Sequence, residues 1–183
     1  MNTADLIFEE VAELYRVIPL KVLRRTEGVY FDNVPTEAFK HIDAFDRVIH
    51  EHGATSPGPV GDVDRPWYMH PCQEDNLIVL AGTRFIEIYT KKHGRIESFV
   101  VAPQRIEKNG EVLYDGPAML VWPTKVFHRI LSDEVMGSAS LNFAVHLPDF
   151  DIRSNFNVYD LNTETGEYIC IREGHLDQPT AVA

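Results

Sequence analysis

The sequence predicts an all-β fold, a sandwich or barrel of short strands, with a helical arm at the N-terminus. Three observations carry the prediction. After Pro66, short β-rich runs follow one another at 76–80, 83–90, 97–102, 112–114, 118–122, 128–131, 138–146 and 167–172. Turn formers separate them, among them Lys92, His93 and Gly94, then Lys108, Asn109 and Gly110, then Asp115, Gly116 and Pro117. Ala139, Leu141, Phe143 and Val145 alternate with Ser140, Asn142, Ala144 and His146, the period of a half-buried strand.

The elements read in order as follows. Ile7, Val11, Leu14, Tyr15 and Ile18 recur at helical spacing between Glu9, Glu10 and Glu13, which predicts a helix over 3–18. Asn2 or Thr3 would cap it and Pro19 would end it. Gly28 to Phe31 reads as a short strand. Phe39, Ile42, Phe45 and Ile49 suggest a second helix over 36–52. The stretch 53–66 holds three Gly and three Pro and reads as a loop and internal boundary. The expected organisation is an N-terminal helical or extended arm over 1–60, a β-barrel over 61–175 and a flexible tail over 176–183. There is no internal repeat and no low-complexity segment.

Composition narrows the function classes. The chain has 183 residues, 44% of them hydrophobic, enough for a full core. Its 17 Lys and Arg stand against 28 Asp and Glu, a formal net charge of −11. A nucleic-acid binder needs a basic face to neutralise phosphates, so nucleic acid and anionic membrane surfaces are disfavoured as partners. No apolar run approaches the length of a membrane span. The first residues are acidic where a signal peptide is basic, so the expected location is cytoplasmic. Cys72 and Cys170 form no CxxC pair, and two free thiols are the simpler reading. Eight histidines in so acidic a chain supply imidazole and carboxylate together, the material of a metal or acid/base site.

Two segments concentrate that material. The first runs from Tyr68 through His70, Gln73, Glu74 and Asp75 into an apolar run closed by Gly82. The second runs from Gly116 through an apolar run to Trp122, Pro123, Lys125 and His128. The pair resembles the two motifs of the cupin superfamily, jelly-roll β-barrels of the RmlC-like kind, over roughly 65–147. The family's first motif carries two His one residue apart, then a Glu, then a Gly seven residues on. Counted back from Gly82, those positions are Tyr68, His70 and Asp75. The second motif's His, five residues past its proline, is His128. The resemblance thus implies a metal held by His70, Asp75 and His128. The departures are Tyr68 in place of His and Asp75 in place of the longer Glu. Lys125 stands where a glycine is usual, and Ser132 where an Asn is common.

The residue types agree with that implication. Two neutral imidazoles and a carboxylate form the face that binds Fe(II) and leaves positions open, and Mn, Ni or Zn accept the same ligands. One divalent transition metal is therefore the expected cofactor. Strand alternation puts Gln73 on the face of Asp75 and Glu74 on the other, which favours Asp75 as the ligand. Tyr68 and Trp122 would wall a pocket for a small-molecule substrate, with Gln73, Lys125, Asn142 and His146 as further contacts. Cys72 reads as a bystander thiol. His41, His50, His52, His93 and His175 read as solvent-facing.

The first functional reading is a mononuclear metal-dependent enzyme, of dioxygenase or isomerase type, with His70 and His128 at its catalytic centre. The alternative is a metal-free epimerase or isomerase resembling those acting on dTDP-4-keto-6-deoxy sugars, with His70 as general base. In those relatives a Lys stabilises the enolate, and Asp75 occupies its position. A carboxylate there opposes the developing negative charge. A third reading is a non-catalytic small-ligand-binding barrel. The resemblance also implies a homodimer paired through N-terminal segments and sheet edges.

Overall fold

The computed structural model describes residues 3–179. Strands β1 (Glu9–Val11), β2 (Tyr15–Pro19), β3 (Lys21–Thr26), β4 (Val29–Asn33), β5 (Ala44–His50) and β6 (Thr55–Ser56) occupy the N-terminal third. Strands β7 (Trp67–Met69), β8 (Gln73–Gly82), β9 (Arg84–Tyr89), β10 (Glu97–Ala102), β11 (Arg105–Lys108) and β12 (Glu111–Asp115) follow. Then come β13 (Ala118–Trp122), β14 (Phe127–Ser132), β15 (Ser138–His146), the short helix α1 (Ile152–Asn155), β16 (Val158–Asn162) and β17 (Glu167–Arg172).

Two antiparallel sheets face each other. One has six strands in the order β1-β2-β13-β8-β15-β5. The other has nine, in the order β12-β11-β10-β9-β14-β7-β16-β17, with β6 paired to β14. Among the described residues no ladder joins the two, so they form a sandwich rather than a closed barrel. The β3–β4 hairpin stands apart from both.

The main core fills the space between the sheets. Val17, Leu77, Val79, Leu120 and Trp122 reach in from the six-stranded sheet, and Ile86, Ile88, Phe99, Val101 and Ile130 from the other. A second cluster, Ile18, Ile78, Met119, Val121 and Phe143, lies on the opposite face of the six-stranded sheet. Val34, Ala38, Phe39 and Ile42 cover it. The central strands β8 and β13 are thus apolar on both faces, which is why they read as continuous apolar runs.

The expected helical arm is not seen. Only Thr3–Leu6 makes a 3₁₀ turn. A tight turn with Glu13 at φ 63° then reverses the chain, and β2 pairs with β13. Leu14 before β2 and Tyr15, Val17 and Ile18 on its two faces are all buried. A strand buried on both faces also satisfies helical spacing, and tertiary pairing decided between them. The helix expected over 36–52 is likewise a 3₁₀ turn followed by β5. In β5, Ala44, Asp46, Val48 and His50 are half-buried while Phe45, Arg47 and Ile49 are exposed, a period of two. Asn2, the alternative cap, and the last residues of the expected tail, 180–183, lie outside the described residues. Among the described residues no helix is long and apolar enough to cross a membrane.

Candidate functional site

Two strands from opposite sheets aim the key side chains at one another. On β8 the period of two puts Gln73 and Asp75 on the face of Leu77, which points into the core. On β14 it puts His128 on the face of Ile130, also a core residue. His70 sits in the link between β7 and β8. His70, Asp75 and His128 are buried, and one donor atom from each lies within 4.8 Å of the others.

Hydrogen bonds fix what each donor can offer. His70 Nδ1 lies 2.5 Å from the Asn155 carbonyl oxygen. A carbonyl only accepts, so Nδ1 carries a proton, and in the neutral ring Nε2 keeps its lone pair. His128 Nδ1 donates to the Val126 carbonyl at 3.2 Å, which frees its Nε2 in the same way. Burial, joined by the neighbouring His70, lowers the pKa of His128 to about 4, so its ring is neutral at pH 7.

Asp75 is held on one oxygen only. Its Oδ1 accepts from Gln73 Nε2 at 2.7 Å and from Asn142 Nδ2 at 2.6 Å. Its Oδ2 is buried without a hydrogen bond and lies 3.4 Å from His70 Nε2. Asn155 Nδ2 donates to Gln73 Oε1 at 3.0 Å, which turns the Gln73 amide so that its nitrogen faces Asp75. Two imidazole lone pairs and an unpaired carboxylate oxygen therefore face a common space. Such groups repel unless a cation or proton lies between them, and the set fits a divalent transition metal.

These residues form one end of a cavity of about 140 Å³. Tyr68 and Trp122 wall it, and Phe156 closes over His70 at a ring separation of 5.3 Å. Burial raises the Tyr68 pKa, so the phenol holds its proton at neutral pH. The Trp122 ring lies 5.1 Å from that of His128, and its Nε1 is buried without a partner. Tyr68, His70, Gln73, Asp75, Trp122, His128 and Asn142 thus come together. Lys125 and His146 do not join them. Lys125 is exposed at φ 66° beside a separate surface hollow with Glu13, Glu74 and Lys92. His146 ends β15, where its ring stacks on Phe150 at 3.5 Å. Cys72 and Cys170 are free.

Asn155, Phe156, Asp46 and His50 have no role in the sequence reading. Asn155 lies far along the chain in α1, and no spacing ties it to His70. Asp46, His50 and Arg84 also line the cavity. A signal for Arg84 exists, because it is in phase with Ile86 and Ile88, the buried face of β9. Asp46 and His50 are in phase with Val48 on β5, a strand hidden behind the helical reading. Three of the histidines expected in solvent, His50, His93 and His175, are partly buried. His50 lines the cavity, and His93 Nε2 sits 2.7 Å from the buried Glu97.

No model of a known protein family matches this chain, and no curated protein matches it. Among solved structures it is similar to QdtA, a sugar 3,4-ketoisomerase from Thermoanaerobacterium thermosaccharolyticum in complex with TDP. The likeness has a TM-score of 0.50 and 14% identity, and covers 76% of this chain and 85% of that one. It shows a cupin-type fold.

Proposed function

We propose that this protein is a mononuclear metal-dependent enzyme acting on a small organic molecule, with His70, Asp75 and His128 holding one Fe, Mn, Ni or Zn ion. One observation carries the reading: three buried donors face one another, and the Asp75 Oδ2 among them has no hydrogen-bond donor. When bound, the metal supplies Lewis acidity and, if redox-active, oxygen chemistry of the dioxygenase type; a redox-neutral isomerisation uses the first alone.

The chain's own residues set the conditions. Gln73 and Asn142 hold Asp75 Oδ1 and keep Oδ2 aimed inward. The Asn155 and Val126 carbonyls hold the two imidazoles in one tautomer. Tyr68, Trp122 and Phe156 exclude water from the substrate side, and Tyr68 keeps a proton on its hydroxyl for donation. Metal analysis of protein purified without a histidine tag tests the reading. Expected is a stoichiometric ion that disappears in His128→Ala. Protein without metal after both aerobic and anaerobic purification overturns it.

A metal-free sugar-nucleotide isomerase is the second reading, supported by the fold shared with QdtA. It would use His70 as base with Asp75 beside it. Their 3.4 Å separation is long for a charge-assisted hydrogen bond, and a cavity of about 140 Å³ is below the usual range of ligand pockets. Solvent deuterium entering a 4-keto-deoxy sugar nucleotide would establish it. Ligand-induced thermal stabilisation without turnover would instead mark a binding protein.

A further inference from the structure

Arg84 is 1% exposed, the largest of the fully buried side chains. It sits on β9 opposite Ser132 of β14, four residues along that strand from His128. At about 3.3 Å per residue that is roughly 13 Å of backbone. Arg84 and His128 line the same cavity from its two ends.

The guanidinium is held but not neutralised. Its Nε donates to Ser138 Oγ at 3.0 Å, and Ser138 Oγ is itself 3.0 Å from Ser132 Oγ. Its Nη2 donates to the Val48 carbonyl at 3.3 Å. Two of five N–H groups are thereby used. Among the described residues no acceptor takes Nη1, and no carboxylate lies within ion-pair distance of the group. Asp46 lines the cavity too, but its Oδ2 accepts from Asn142 Nδ2 at 3.1 Å. Burial lowers the Arg84 pKa to about 10, which leaves the charge in place at neutral pH. The same cation helps to hold His50 neutral, with burial the larger cause.

A fully buried cation is ordinarily paired, because desolvation without a partner is costly. Arginine presents its N–H groups as a flat fork that matches a carboxylate. We propose that Arg84 anchors a carboxylate of the substrate, which makes the substrate class small organic acids whose reacting end lies at His70, Asp75 and His128. The assignment of that reacting end rests on the metal-dependent reading above. One positive charge in a cavity that also holds Asp46 and Asp75 suits a monoanion rather than a phosphate dianion. At about 30 Å³ per water, the cavity volume equals about five waters, the scale of a small acid.

The test uses the full chain after chelator treatment, so that a carboxylate has no metal to bind. Sodium propionate is compared with propionamide at constant ionic strength, by calorimetry and thermal melting. Expected is millimolar binding of propionate with a raised melting temperature, and no binding of propionamide. Arg84→Met should weaken propionate binding at least tenfold, and Arg84→Lys less, since it keeps the charge without the fork. Equal binding of acid and amide, no binding of either, or propionate binding unchanged in a folded Arg84→Met overturns the proposal. The acid–amide comparison decides even if the variants do not fold. Chelated protein that binds propionate through Arg84 yet never takes up metal keeps this inference and sinks the metal reading. Stoichiometric metal in protein blind to propionate does the reverse.

Discussion

Asp75 turns toward His70 the one carboxylate oxygen that no donor in the site occupies. Oδ2 stands 3.4 Å from His70 Nε2 with no hydrogen bond, while Oδ1 receives two. The asymmetry is imposed by neighbours. Gln73 comes from the same strand face, and Asn142 lies on β15, opposite Leu77 in the ladder. Backbone pairing therefore selects which oxygen is free.

Asp75→Asn separates structure from binding. The amide oxygen still accepts from Gln73 and Asn142, and the buried negative charge is gone. Metal-free Asp75→Asn should be at least as stable as the parent, by up to about 3 kcal/mol. It should lose at least 100-fold in metal affinity, read by competition with a chelating dye. A variant that melts well below the metal-free parent would show the carboxylate to be a structural group.

Gln73→Leu keeps the volume of the side chain and removes its grip on Asp75. Metal affinity should fall by about 10–100-fold, with the three ligands intact. Asn155→Ala leaves the carbonyl that holds His70 and removes only the bond to Gln73, so its effect should be smaller. The reverse order would break the proposed relay from Asn155 through Gln73 to Asp75.

Acid should weaken the metal-free fold through two imidazoles. His50 and His128 both fall from 6.5 to about 4 in the native state, burial being the largest cause for each. Between those values the unfolded chain binds protons that the native chain refuses. Unfolding free energy therefore falls as pH drops from 6.5 toward 4, and these two groups cost nothing further below that. Glu97 begins to contribute only near and below its ordinary value of 4.5, so the interval from 6.5 down to about 5 isolates the histidines. Denaturant titrations should show a shallower slope there in His50→Gln. An unchanged slope would remove His50 from the account.

Gly82→Ala should cost at least about 3 kcal/mol. Gly82 ends β8 at φ 68°, and a Cβ there would fall 1.9 Å from the Gly137 carbonyl oxygen. Both the left-handed backbone and the contact with main chain oppose the change. A Tm within a degree or two of the parent would contradict the close approach of these two turns.

The expected homodimer keeps a candidate surface although the helical arm is gone. Val22, Leu23, Val29, Tyr30 and Phe31 are exposed on the β3–β4 hairpin. If a second copy covers them, sedimentation should give a dimer, and Tyr30→Asp with Phe31→Asp should give a monomer. A parent chain that sediments as a monomer ends the idea.

Much of this architecture was legible in the residues from 67 onward. The runs 118–122, 138–146 and 167–172 became strands with those bounds, because turn formers punctuate both ends. The convergence of His70, Asp75 and His128 was also legible, since each keeps a fixed distance from Gly82 or Pro123. The first 52 residues misled for one reason. Apolar residues on both faces of β2, or split between a covering turn and β5, imitate the 3.6-residue period. Without β5 one wall of the cavity was invisible, and Asp46 and His50 with it. Asn155 left no trace, because its carbonyl does the work and every residue has one.

The two walls of the cavity around His70 and Asp75 differ in how firmly they are held. Asp75 belongs to β8, which has strands on both sides, so freeing it means unzipping the centre of the sheet. The carbonyl that orients His70 belongs to a four-residue helix, and Phe156 just after it is the lid over that ring. Amide hydrogens of 73–79 should exchange only on global unfolding, those of 152–157 through brief local opening. Under the metal-dependent reading, ions and substrates would pass at 152–157, and the lifetime of a bound species would be tuned there without disturbing Asp75.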